Sequence, residues 1–284
     1  MSTAIATLDL GGERPITIRK VSMDRPWAWL RAALNDIKAS PGVSLGYGLI
    51  WTLISVSLVS LLWFNEQGSW LLPLAAGFML IGPLAAIGLY QVSRDIEEKH
   101  PVTLFRALTA WRGNATQIGL LGVLLMIFLL AWIRFATLLF ALFFGSFIPD
   151  VDAASVYSDL LLSSTGLALI ATGTVIGAVL AFVAFTLSVV SVPHLLADRN
   201  SSVLEAVITS VTVVKHNLRV MLLWAFMIGC LGFVGLAPAV LGLVLILPLL
   251  GHASWHAYQD LVGFDVGVNA PTPDTTTTGG SEPA

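Results

Sequence analysis

The stretch TLFRALTAWRGNATQIGLLGVLLMIFLLA, residues 103–131, decides the fold that this sequence can adopt. It predicts a short amphipathic helix, then a basic mark at Arg112-Gly113-Asn114, then an apolar run long enough to cross a bilayer. The same order occurs twice more, with the marks Lys38-Ala39-Ser40 and Lys215-His216-Asn217. Repetition of one unit predicts a repeat architecture, in which each amphipathic helix is followed by membrane-spanning segments.

The composition excludes a water-soluble domain. Hydrophobic residues make up 56% of the 284-residue chain and charged residues 11%, and the mean hydropathy is +0.87. These values are typical of a membrane protein with several spans. The single cysteine, Cys230, excludes an internal disulfide and a cysteine-based metal cluster. We expect no nucleic-acid partner.

The apolar runs predict an all-α membrane bundle of six transmembrane helices, arranged as three hairpins that each follow an amphipathic helix in the cytoplasmic interface. The predicted spans cover residues 45–64, 70–93, 118–148, 165–193, 220–236 and 238–258. They form one membrane domain, residues 23–262. Residues 1–22 are predicted to be a flexible cytoplasmic N-terminus, and residues 263–284, rich in Thr, Pro and Gly, a disordered cytoplasmic tail.

The basic residues predict the orientation. With six spans, every Lys and Arg except Arg134 falls in segments on one side, whereas the turns on the other side carry only acidic charges. Because Lys and Arg are retained in the cytoplasm, both termini are predicted to be cytoplasmic. We expect contact between anionic lipid headgroups and the basic side chains of the amphipathic helices, namely Arg31, Lys38, Arg106, Arg112 and Lys215.

Four segments carry a resemblance to a known family. They are RPWAWLRAALNDIKASPGVSLGYGLI from residue 25, GPLAAIGLYQVSRD from residue 82, AWIRFATLLFALFFG from residue 131 and PLLGHASWHAYQDLV from residue 248. Together they resemble a bacterial integral-membrane family catalogued as a domain of unknown function, some of whose members carry a cytochrome c oxidase subunit name. The resemblance implies six spans in the cytoplasmic membrane of a bacterium and supplies no activity.

Arg134 is a charge near the middle of the third predicted span. No Asp or Glu lies in any of the six predicted spans, so the guanidinium has no conventional intramembrane partner. If it is buried, we expect it to face inward, towards hydroxyl groups such as those of Thr172, Thr174 or Ser188, and to reach water. Alternatively, it snorkels to an interface.

Two histidines form the second candidate site. His252 and His256 are four residues apart near one end of the sixth predicted span, so a helix places both on one face. That spacing suits two ligands of a zinc or iron ion, with His194 and Asp260 as further candidate ligands. The alternative is a pair of hydrogen-bonded histidines at a helix end, without metal or haem. A haem-copper catalytic subunit would need more intramembrane histidines than these two.

The sequence contains no P-loop, HExxH, GxSxG or dinucleotide-binding glycine pattern, so no catalytic signature favours an enzyme. The favoured function is an accessory or scaffolding role in an envelope or respiratory complex, with a membrane-protein partner or a homo-oligomer. One alternative is a small-solute or anion transporter with Arg134 in the pathway. The other is a metal- or haem-binding protein that uses His252 and His256.

Overall fold

The computed structural model describes residues 3–8, 15–145, 162–237 and 240–264. The helices described before residue 146 are α1 (Arg25–Ala39), α2 (Pro41–Phe64), α3 (Leu71–Ala85), α4 (Ile87–Glu97), α5 (Leu104–Thr109) and α6 (Ala115–Phe144). The helices that follow it are α7 (Ser164–Ser188), α8 (Ser191–Ala197), α9 (Val203–His216), α10 (Leu218–Leu236) and α11 (Leu243–Leu261). The helical architecture agrees with the prediction.

Four helical segments in the described part of the chain are long and apolar enough to cross a membrane: Pro41–Phe64, Leu104–Phe144, Ser164–Ala197 and Leu218–Leu236. They correspond to the first, third, fourth and fifth predicted spans. The second and sixth predicted spans are not among them. Helix α3 has 15 residues, about 22 Å, which is short of a hydrocarbon core of about 30 Å, and the last turns of α11 carry histidines and an aspartate. Six spans therefore stay a prediction.

A small antiparallel sheet corrects the prediction that the fold is all-α. Strands β1 (Thr3–Leu8), β2 (Ile16–Lys20) and β3 (Val262–Phe264) pair in the order β1-β2-β3. Alternation along ITIRK places Ile16 and Ile18 on one face of β2, where both are buried in the main core. Strands β1 and β2 thus lie within the residue range 1–22 predicted to be flexible, and β3 ends within the first residues of the predicted tail. Residues 265–284 lie outside the described part.

The repeat is visible in the backbone at the three basic marks. The last residue of each mark, Ser40, Asn114 or Asn217, precedes a long helix, α2, α6 or α10. Their φ/ψ angles are −139°/59°, −144°/53° and −118°/31°. The chain therefore makes the same corner each time that it passes from a short amphipathic helix into an apolar one. Those short helices, α1, α5 and α9, occupy the three predicted positions.

The helices of the bundle extend for different distances towards one of its two ends. One end, here called the sheet end, holds the three strands together with α1, α4, α8 and α9. The opposite end, here called the turn end, holds the connection from α2 to α3. Trp132 of α6 packs beside Gly77 of α3 and Gly177 of α7. From that level α3 continues for about 9 Å towards the turn end, whereas α6 continues for about 18 Å and α7 for about 20 Å. The α6–α7 pair therefore extends roughly 10 Å beyond α3.

Candidate functional site

His252 is the centre of a buried hydrogen-bonded chain at the sheet end. Its side chain is completely buried, with Nε2 3.0 Å from Ser44 Oγ and Nδ1 2.7 Å from Ser93 Oγ. Ser93 Oγ donates its one hydrogen to Asp36 Oδ2 at 2.6 Å. Ser93 must then accept from Nδ1–H. Complete burial favours the neutral imidazole, and with its hydrogen on Nδ1 this ring accepts from the Ser44 hydroxyl at Nε2.

Asp36 links this chain to the second histidine. Its Oδ2 is 2.8 Å from Nε2 of His256, and Nδ1 of His256 is 3.6 Å from Oε1 of Glu97. The other Glu97 oxygen accepts hydrogen bonds from Trp255 Nε1 at 3.0 Å and from Gln259 Nε2. Asp36 is buried, so its hydrogen bonds from Ser93 and His256 replace the contact with water that its carboxylate loses, whereas Glu97 is still exposed.

Helical spacing explains why these side chains meet. His252 and His256 lie four residues apart on α11, and Ser93 and Glu97 lie four apart on α4, so each pair shares one face. Asp36 comes from α1 and Ser44 from the start of α2. The network therefore ties four helices together, including the first and the last helix of the described chain.

The predicted metal ligands are not gathered by the fold. His252 and His256 share one face as predicted, but Ser44, Ser93 and Asp36 occupy their ring nitrogens. His194 is buried beside Tyr258 on another side of α11, with ring centroids 6.1 Å apart, and Asp260 binds Arg25. In the described ranges no group of three or more His, Cys, Asp or Glu side chains is arranged to hold a metal ion.

Two equivalent ion pairs join the repeats. Asp95, at the end of α4, accepts two hydrogen bonds from Arg106 of α5, at 2.9 and 2.6 Å. Asp260, at the end of α11, accepts from Arg25 of α1 in the same two-pronged manner. In each case the carboxylate at the end of a helix holds the arginine of an amphipathic helix. The Arg106 side chain is still 44% exposed in this pair, so its contact with lipid stays a prediction.

The other basic residues predicted to contact lipid are exposed. They are Arg31, Lys38, Arg112 and Lys215. The guanidinium of Arg112 lies 5.7 Å from the ring centroid of Trp111. Neighbouring apolar side chains on these short helices are exposed too, with Trp27 57% and Phe105 71% accessible. This combination is typical of helices that lie in a membrane interface, and lipid contact stays a prediction.

Arg134 lies on the surface of α6, not in the interior. Within the described ranges it makes no hydrogen bond or ion pair, and Ser188, one of its expected hydroxyl partners, is buried and donates to the carbonyl of Ala184. Arg134 lies two residues after Trp132 on α6, about 3 Å closer to the turn end. Along the bundle it is therefore still about 6 Å short of the level at which α3 begins. Arg134 is exposed in the structure, so the burial on which the expected inward orientation depended is not met.

Sequence reasoning missed Asp36, Ser44 and Ser93. One signal was available, because Asp36, Ser40 and Ser44 recur every four residues and form a polar stripe that continues from α1 into α2. Ser40 Oγ lies 3.2 Å from Ser44 Oγ in this stripe. Nothing local indicated that the stripe would face His252, which lies 208 residues from Ser44.

Part of the chain is similar to a known membrane-protein family. Residues 71–198, from α3 to just beyond α8, match the family model described as "Predicted integral membrane protein (DUF2189)". This confirms the resemblance to an integral-membrane family of unknown function, and it gives no support to the oxidase name. Of the polar network, Ser93 and Glu97 fall inside the match, whereas both histidines fall outside it. No curated protein and no solved structure matches the chain.

Proposed function

We propose that this integral membrane protein is an accessory or scaffolding component of an envelope or respiratory complex in a bacterial cytoplasmic membrane. Arg134 carries the proposal. It is an exposed cation on an apolar helix, flanked by Phe135 at 44% and Leu138 at 65% exposure. A cation exposed to hydrocarbon costs about 2.5 to more than 10 kcal/mol, depending on its depth and on local water. A partner that covers this face and neutralises the charge would offset that cost.

The chemistry of the partner follows from the charge. A transmembrane helix with an Asp or Glu facing α6 would pair with the guanidinium and satisfy its donors. A second copy of this chain is a poor source of that carboxylate, because its predicted spans contain neither Asp nor Glu. The expected partner is therefore a different membrane protein.

The alternatives receive less support. A transporter that uses Arg134 would need this residue to line a pathway through the bundle, but the large cavity between the described helices is lined without it. A hydrolase would need a serine that substrate can reach, whereas Ser44 is fully buried next to His252. The histidine network instead fits a rigid connection between helices, as a scaffold requires.

Arg134→Met tests the partnership, because methionine keeps an apolar stem and removes the charge. The variant should fold normally yet lose about tenfold or more of a stable partner after affinity purification in mild detergent, followed by mass spectrometry. Leu138→Met, one turn away on the exposed face, is the matched control and should retain the partner. Equal recovery of the same partner with both variants would contradict the proposal.

The orientation is tested with cysteines in a Cys230→Ala background. Gln67, in the connection from α2 to α3, and Asn200, after α8, are both exposed. With cytoplasmic termini, Gln67→Cys should react with an impermeant thiol reagent added to intact cells, and Asn200→Cys should react only after the membrane is opened. The reverse labelling pattern would show that the protein has the opposite orientation in the membrane.

A further inference from the structure

A cavity of about 460 Å³ lies between α3, α7, α10 and α11. Small residues make the space, among them Gly82 on α3 and Gly229 on α10, where an added Cβ would meet no atom within 4 Å. The volume is within the range of small-molecule sites. This cavity is separate from the His252 network and from the exposed face of α6 that contains Arg134.

The cavity is long and narrow. Its lining runs along α10 from Leu222 to Leu236 and along α7 from Ala178 to Ser188. These stretches measure about 21 Å and about 15 Å. A space of this length and volume has room for one hydrocarbon chain.

Polar groups are confined to one end. Tyr90, Ser188 and Ser254 contribute the hydroxyl groups of the lining, and they lie towards the sheet end. Ser188 donates to the carbonyl of Ala184, and the Tyr90 hydroxyl is hydrogen-bonded with Ser254. Because these hydroxyl groups already have hydrogen-bond partners within the protein, the remaining surface favours an occupant that is apolar along its length.

The mouth of the cavity opens between two helices that can span the membrane. Ala178 and Ala181 of α7 and Leu222 and Phe226 of α10 all line the cavity and are exposed, so the cavity reaches the surface along these two helices. Both helices belong to candidate spans, so bilayer lipid is the neighbouring medium. Arg219 is exposed one turn before Leu222 on the same side of α10, and it places a positive charge near the polar end of the mouth.

We propose that this cavity binds one acyl chain of an anionic phospholipid, which enters between α7 and α10 while its headgroup lies at Arg219. The chain fills the apolar length, and the arginine selects for a negative headgroup. The site is independent of the proposed partner at Arg134.

Photo-crosslinking of purified protein in lipid nanodiscs tests the site. The probe is phosphatidylglycerol with a photoreactive acyl chain, and the readout is labelling of the α7 and α10 peptides by mass spectrometry. Gly229→Phe fills the cavity and should lower this labelling about tenfold. Gly173→Phe is the matched control, because Gly173 is also a helical glycine with no atom within 4 Å of its Cβ position but does not line the cavity; it should label like the unchanged protein.

Two further variants test the cavity and the selection for an anionic headgroup separately. Gly82→Leu fills the space from α3 and replaces Gly229→Phe if the latter fails to fold. Arg219→Gln should lower labelling by phosphatidylglycerol to the level of a phosphatidylcholine probe with the same chain, without changing labelling by phosphatidylcholine. Equal labelling of both filled variants and the control would overturn the site, and equal labelling of the unchanged protein by the two probes would overturn the selection for an anionic headgroup.

Discussion

The sheet end and the turn end of this protein are held together by different means. At the sheet end, Asp36, Ser93 and His252 form a buried polar network, and Trp29 packs edge-on against Trp224 with centroids 5.5 Å apart. At the turn end, α6 and α7 extend beyond α3 and expose apolar side chains such as Leu142, which is 78% accessible. One end has the interior of a water-soluble protein, and the other presents its apolar surface outward.

The solvent explains the difference. Lipid chains are as apolar as leucine, so helices within the bilayer gain little from burying apolar side chains against one another. Helices outside the hydrocarbon face water, where burial of apolar surface stabilises the fold. Substitutions at the sheet end should therefore change the free energy of unfolding, and substitutions at the turn end should change it far less.

The largest effect is expected at Asp36. Asp36→Ala removes the carboxylate that accepts hydrogen bonds from Ser93 and His256. Because the polar groups of Ser93 and His256 then lack an acceptor, the variant should be less stable by about 3 kcal/mol. The measurement is thermal or denaturant unfolding in detergent. Asn35→Ala, an exposed neighbour on the same helix, is the control and should stay close to the unchanged protein. A similar stability for both variants would show that the network does not hold the sheet end.

A smaller effect is expected at Asn217. Its Oδ1 accepts from the backbone N–H of Val21 at 3.1 Å, and its Nδ2 donates to the carbonyl of Arg19 at 3.0 Å. Asn217→Ala should cost about 2 kcal/mol, because two backbone groups beside β2 lose their partner. Limited proteolysis should then cut before α1 sooner than in the unchanged protein.

Thr137 at the turn end provides the contrast. Its hydroxyl is exposed and bonds within its own helix, to the carbonyl of Ile133, so Thr137→Ala should leave both unfolding and proteolysis unchanged. If this variant is as damaging as Asn217→Ala, the two ends do not differ in the proposed way.

Local patterns predicted much of the helical framework. The four apolar segments, the three short helices before α2, α6 and α10, and the common corners at the basic marks all depend on residues close together in sequence. The equivalence of Asp95 and Asp260 could also be derived by alignment within the chain, although their arginine partners could not. The sheet was not predicted, because β2 is a single short run of alternating residues. Such a strand is stable only when it pairs with a neighbour such as β3, which lies far away in sequence.

The sequence by itself determined that this is a membrane protein built from a repeated unit, because composition and period are properties of the chain that need no contact. Only the tertiary structure decided the roles of particular polar side chains. His252 became a buried hydrogen-bonding centre, although its spacing from His256 equally suited a metal ligand, and Arg134 faces outward. The physical reason is that the solvent or partner of a side chain is set by which helices pack against its own, and Ser44 and His252, 208 positions apart in sequence, meet only when the chain between them has folded.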